Sequence, residues 1–213
     1  MDTYTYWNEI GSQKDFKDPI YIEKLRPFLS ADATIVEYGC GYGRLLQYLQ
    51  SQGYSNLKGF DLAPNMIERG KALNPAFELN TLNESACVPL ANASADAFIL
   101  STVLCCVIDN GAQKAIIDEI NRLLKPKGVL YFSDFLLCDE PSYTEKYKKG
   151  SKDYGNWGVY TTSEGVAVRH HKTSWIMELL TAFDIQWFEQ FNFKTMNNNT
   201  ARSFHCIAQQ RET

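Results

Sequence analysis

The run Thr34 to Tyr38 favours a strand, breaks into glycines at 39, 41 and 43, and is followed at once by Leu45, Leu46 and Leu49 at helical spacing. A strand that turns through glycines straight into a helix is the opening of an α/β unit. In open α/β folds that turn sits at the carboxyl edge of the sheet, where ligands bind. Glycines there adopt backbone torsions closed to other residues and let a ligand lie against the main chain.

The alternation continues along the chain. Leu57 to Phe60 reads as a second strand, Pro64 to Leu73 as a helix with proline in its first turn, Phe77 to Leu82 as a third strand and Ala97 to Ser101 as a fourth. Ala112 to Leu124 carries an apolar helical stripe, Lys125 to Gly128 stops it, and Val129 to Phe132 starts a fifth strand. Strands alternating with helices imply parallel pairing through right-handed crossovers. Beyond them, Lys172 to Phe183 reads as a helix, and Ile185 to Phe193 and Arg202 to Gln209 as strands flanking the turn-rich Asn197-Asn198-Asn199. Two strands joined so closely predict an antiparallel hairpin added to the parallel sheet.

Length and charge bound the function. A chain of 213 residues, 45% hydrophobic, buries one core, and no linker or repeat divides it. Twenty-five acidic against twenty-one basic side chains disfavour phosphate-backbone binding, so no nucleic-acid partner is expected. The first residues lack the basic and apolar regions of a signal peptide, and no apolar run reaches a membrane-spanning length. Six cysteines without a Cys-x-x-Cys pair read as reduced thiols, which places the chain in the cytoplasm. No metal site is expected.

The glycine turn reads Glu37-Tyr38-Gly39-Cys40-Gly41-Tyr42-Gly43-Arg44. A dinucleotide fingerprint needs its third glycine where Arg44 stands, which weakens a nicotinamide reading. The acidic-x-G-x-G-x-G pattern instead resembles the class I S-adenosylmethionine-dependent methyltransferases, in particular the small-molecule, ubiquinone/menaquinone type, over Ala33 to Phe135. Gly59-Phe60-Asp61-Leu62-Ala63-Pro64-Asn65-Met66 is similar to that family's second motif, and Glu84 to Leu90 to a third in which Asp is usual where Glu84 stands.

The resemblance implies a Rossmann-like, seven-stranded, mostly parallel sheet with helices on both faces and a C-terminal antiparallel hairpin. It implies S-adenosylmethionine as cofactor, with S-adenosylhomocysteine as product. Glu37 would lie near the methionyl amino group; Gly39, Cys40, Gly41 and Gly43 would form the floor; Asp61 would accept from the ribose hydroxyls. Leu62 and Met66 would flank the adenine, Glu84 would accept from its amino group, and Ser85 and Ser101 would be further cofactor-binding residues.

Acceptor-binding parts fall outside these motifs. The chain is read as one domain, 1–213, with an N-terminal lid segment, 1–30, and an inserted loop, 139–171. Tyr6, Trp7, Tyr154, Trp157 and Tyr160 are the candidate acceptor-pocket aromatics, whose rings would also favour cationic groups. The alternative is that these aromatics cover a sheet edge. His170 and His171 are the candidate base or acceptor-orienting pair, because imidazole titrates near neutrality, while Cys105 and Cys106 read as core. Methylation of a small molecule is the leading function. An RNA or protein methyltransferase and a non-catalytic cofactor-binding module are the alternatives.

Overall fold

The computed structural model of the chain describes residues 1–194 and 200–211, so the turn expected at Asn197-Asn198-Asn199 lies outside the described residues. Helical turns open it: α1 (Thr3–Thr5), a π-helical turn (Tyr6–Ile10), a 3-10 turn (Gly11–Gln13) and α2 (Ile22–Leu25). Then come β1 (Ile35–Tyr38), α3 (Arg44–Ser51), β2 (Leu57–Asp61), α4 (Pro64–Leu73), β3 (Glu78–Thr81), β4 (Ala95–Ser101), α5 (Asn110–Leu123) and β5 (Leu124–Leu136). The remainder is α6 (Pro141–Tyr154), β6 (Val159–Thr161), β7 (Ala167–Arg169), α7 (Thr173–Leu179), β8 (Phe183–Lys194) and β9 (Thr200–Gln210).

Seven strands make one sheet in the order β3-β2-β1-β4-β5-β9-β8. β1 to β5 pair in parallel, and β9 runs antiparallel to both β5 and β8. The expected seven-stranded sheet with its antiparallel C-terminal pair is therefore present. Among the described residues no helix is long and apolar enough to cross a membrane.

Two-residue alternation divides the core. Val36, Tyr38, Phe98, Leu100 and Phe132 face α5 and α7, while Ile35, Ala97, Ile99 and Tyr131 face α3 and α4. Both layers close on fully buried aliphatics, Ile116 and Ile120 on one side and Leu46 and Leu49 on the other.

Three expectations change. β5 starts directly after α5: Ala95 pairs with Leu124 and Ala97 with Val129, so Lys125 to Gly128 bulge out of the ladder, with Lys127 at φ 64°. The C-terminal helix is shorter than its apolar pattern, ending at Leu179 because the chain turns into β8 at Phe183. The inserted segment is not a loop: α6 and the β6–β7 hairpin fill it, packed through Tyr143, Tyr147 and Tyr160.

Candidate functional site

One cleft of about 860 Å³ lies over the carboxyl ends of β1, β2, β4 and β5. Its first wall is the glycine turn. Gly39 and Cys40 both donate their amides to Phe60 O, at 2.7 and 3.0 Å, which folds the turn back over β2. Gly39 has φ +70° and an added Cβ would stand 2.4 Å from Val103 Cγ2, so glycine is required there for both torsion and space.

Two carboxyls meet behind this turn. Asp61 Oδ2 accepts from Gly41 N and Oδ1 from Ala63 N, both at 2.8 Å, which locks the side chain between the glycine turn and the start of α4. Burial raises its pKa against these amide bonds. Glu37 is more extreme, because its Oε2 is buried with no hydrogen-bond partner and burial pushes the carboxyl up to about 8. Arg44 pulls in the other direction, and it is anchored through Nη2 to Asp18 O at 2.5 Å. A buried carboxyl with one oxygen unpartnered and facing a cleft is what a cationic ligand group would complete.

The floor is the segment after β4. Buried Gln113 donates to Leu104 O at 3.0 Å and to Val107 O at 2.5 Å, and buried Asp134 accepts from Cys105 N at 3.0 Å. Burial raises the Asp134 carboxyl to about 7. These bonds hold Thr102, Val103, Cys105 and Cys106 along the cleft.

The N-terminal segment crosses above. Asn65 on α4 binds Asn8 twice, at 3.0 and 2.7 Å, and Arg69 donates to Ser12 O, Lys14 O and Asp15 Oδ1. Phe16 stacks on Tyr42 of the glycine turn at 5.2 Å. On the other bank Tyr6 donates to Glu164 Oε2 at 2.5 Å, and Lys14 pairs with the same carboxylate. Trp7 reaches the floor, its Nε1 donating to Cys106 Sγ at 3.3 Å.

The inserted segment supplies the far wall. His170 sits among rings, stacked on Phe135 at 5.3 Å, with Nδ1 bonded to Tyr147 OH at 2.7 Å and Nε2 to Tyr160 OH at 3.2 Å. Burial pushes its pKa down to about 3, and nearby Lys146 adds to this. Both its nitrogens are engaged, so the ring orients two tyrosines and does not titrate near neutrality.

Of the residues predicted from sequence, Glu37, Gly39, Cys40, Gly41, Asp61, Leu62, Met66, Ser85, Ser101, Trp7, Tyr160 and His170 line this cleft. Six are placed outside its lining. Glu84 is exposed, because Tyr38 OH bonds Ser85 and Ala86 and turns the preceding side chain to solvent. Gly43 backs onto Leu79 and Phe77. Tyr6 is buried beneath the lid on Glu164, and Tyr154 is tied to Thr161 Oγ1 at 2.8 Å. Trp157 is exposed against the outer side of Tyr147. His171 is fully buried behind the cleft, its Nε2 4.0 Å from Asp134 Oδ1, and burial pushes it down to about 3 as well.

Phe16, Tyr143 and Lys146, which belong to the two segments read as lids, also line the cleft, as does Asp18, which sequence reasoning passed over. Lys146 changes the electrostatics. Its ammonium lies 4.8 Å from the Tyr143 ring centroid and 5.4 Å from that of Tyr160, so the ring faces expected to favour a cationic acceptor already carry a cation of this chain. Among the described residues no group of three or more His, Cys, Asp or Glu is placed to hold a metal ion.

Residues 36–132 match a methyltransferase-domain family. The chain is 29% identical over 170 residues to the mouse tRNA N(3)-cytidine methyltransferase METTL2, covering 75% of this chain and 42% of that protein. It is 27% identical over 187 residues to O-methyltransferase 3 of Dictyostelium discoideum, covering 82% and 40%. The chain thus spans less than half the length of these curated relatives. A SAM-dependent methyltransferase from Methanosarcina mazei shares the fold with a TM-score of 0.86 and 24% identity, covering 92% of this chain and 100% of that one.

Proposed function

We propose that this chain, whose residues 36–132 match a methyltransferase-domain family, is an S-adenosylmethionine-dependent methyltransferase that methylates a small molecule held in the roofed half of the cleft. The cofactor supplies a methyl group on a positively charged sulfur, which an acceptor lone pair displaces in line.

The chain's residues divide the work. Glu37, with its unpartnered Oε2, suits a cationic amino group, and Asp61, positioned by main-chain amides, would offer its remaining acceptor capacity to a diol. Gly39 and Gly41 put no side chain of their own on the glycine-turn wall. Leu62 and Met66 offer apolar walls to a flat base.

The observation that carries the small-acceptor reading is the roof. Trp7 and Phe16 come down from the N-terminal segment, 1–30, and Tyr143, Tyr160 and His170 come from the inserted segment, 139–171, with Tyr6–Glu164 joining the two banks. Such a lid excludes water and fixes the acceptor. Alignment of that kind is worth about 7 to 11 kcal/mol of barrier. Transfer to an amine or thiolate needs no added base, in keeping with a His170 that stays neutral and bonded to tyrosines.

Isothermal calorimetry with S-adenosylmethionine, S-adenosylhomocysteine and NAD tests the cofactor, with Asp61→Ala as the paired variant. Micromolar binding of the first two, weakened at least about tenfold by the substitution, is expected. Binding of NAD alone, or of none, refutes the assignment. The tRNA methyltransferase relatives favour a second reading, tested by offering unmodified tRNA transcripts and small acceptors side by side and measuring S-adenosylhomocysteine release. Turnover on tRNA alone would replace the small-molecule proposal.

A further inference from the structure

We infer that the acceptor half of the cleft is built for a planar molecule with an anionic head group, a carboxylate, for which Lys146 is the counter-charge. The inference rests on reading the cleft as a methyl-transfer site.

Four lysines lie on α6, at 146, 148, 149 and 152, and of these only Lys146 lines the cleft. Lys148 is tied to Glu145 at 2.7 Å. Lys146 has no carboxylate within salt-bridge distance among the described residues, and its ammonium rests on the faces of Tyr143 and Tyr160. Ring faces hold a cation in place without neutralising it or using its N–H donors. The hydroxyls of those rings are committed elsewhere, Tyr143 to Thr200 O at 3.0 Å and Tyr160 to His170.

A second observation points the same way. Thr162, in the β6–β7 turn, lines the cleft, and its Oγ1 is buried with no hydrogen-bond partner. A buried hydroxyl left unpaired costs free energy until something accepts from it. A carboxylate has acceptor sites for both an ammonium and a hydroxyl.

Charge along the cleft is also sorted. Asp18, Glu37 and Asp61, with Arg44 among them, stand at the glycine-turn end. At the other end Lys146 is, among the described residues, the one charged side chain of the lining, since burial keeps His170 neutral. An acceptor that placed its acid at the glycine turn would meet carboxyls, and one with a cationic head would meet Lys146. A molecule oriented by Lys146 presents its opposite end toward the glycine turn, where the methyl donor is expected. Trp7, Phe135, Tyr143 and Tyr160 line the space between with ring surface, which favours a flat, unsaturated body.

The test is calorimetry on the whole chain saturated with S-adenosylhomocysteine, using hydroxybenzoate and aminobenzoate isomers, each against its own carboxamide and against the matching benzylamine. At least one acid is expected to bind about tenfold or more tighter than its carboxamide, and no benzylamine tighter than its acid. Lys146→Met should abolish the acid-to-amide difference, and Lys146→Arg should keep it. Neither should alter S-adenosylhomocysteine affinity or the melting temperature, since Lys146 is exposed and touches only ring faces. Thr162→Val should lose part of the difference. Equal binding of acids and amides, no binding of any acid, tighter binding of the amines, or a preference that survives Lys146→Met would each overturn the inference. Failure of S-adenosylhomocysteine itself to bind would instead remove the methyltransferase reading beneath it.

Discussion

Replacing Glu37 by glutamine should make the isolated chain more stable and its cofactor binding weaker. The carboxyl is fully buried and holds its proton up to about 8, against an ordinary 4.5. Between those values the unfolded chain has released the proton while the folded chain keeps it. Stability therefore falls as pH rises through that window, by about 1.4 kcal/mol per pH unit, and is unaffected below it. At pH 7 this is about 3 kcal/mol. The amide side chain of the Glu37→Gln variant would keep one oxygen acceptor and place a nitrogen where Oε2 is now unpartnered, with no charge to desolvate.

For a chain of this size 1 kcal/mol moves the melting temperature by about 2 to 4 °C, so Glu37→Gln should melt roughly 6 to 12 °C higher at pH 7, with the gap closing near pH 4. In the proposed function the cofactor's amino group lies beside Glu37, and a cation there would favour the ionised carboxylate. Binding at pH 7 should then expel close to one proton, read from calorimetry in two buffers of different ionisation enthalpy. Glu37→Gln should expel none and bind at least about tenfold more weakly, roughly the value of one charge-assisted hydrogen bond. A variant that melts no higher than the parent at pH 7, or a parent whose binding moves no proton, would refute the argument.

Two further substitutions examine the lid. An added Cβ at Gly150 would stand 1.9 Å from Val159 O, so Gly150→Ala should push α6 off β6, cost about 1 to 3 kcal/mol in a thermal melt and weaken acceptor binding more than S-adenosylhomocysteine binding. Unchanged amide exchange in β6 and β7 would contradict this. Tyr6→Phe removes the bond to Glu164 and should raise amide exchange about tenfold in residues 1–18 and 162–165 while leaving β1 and β4 protected. Equal exchange in both proteins would show that the Lys14–Glu164 pair closes the lid without it.

What was legible in the sequence was local. Strand alternation sets Val36 and Tyr38 against Ile35 and Glu37, and the strand ends bring Glu37, Asp61 and Ser101 to one edge because parallel strands share a direction. The inserted helix was legible too: Tyr143, Tyr147, Gly150 and Tyr154 fall at i, i+4, i+7 and i+11, between Pro141 in its first turn and a left-handed Gly155 after its last. Read as a loop, that stripe hid the fact that Lys146, three residues after Tyr143, shares its face. Asp18 carries no such local mark, since only the folded lid decides which side of an irregular segment turns inward.

The histidines show the deeper reason. Titration near neutrality belongs to imidazole in water, and the fold buries all three rings, holding His170 and His171 near 3 and His205 near 4. The same burial moves carboxyls the other way, Asp134 to about 7 and Glu37 to about 8. Desolvation opposes charge of either sign, so it depletes bases and enriches acids near pH 7. A break between pH 7 and 8 in the cofactor-binding profile of the free chain is accordingly assigned to Glu37, which faces the cleft, or to Asp134, which holds the cleft floor through Cys105 N, rather than to the histidine pair that residue type alone would nominate.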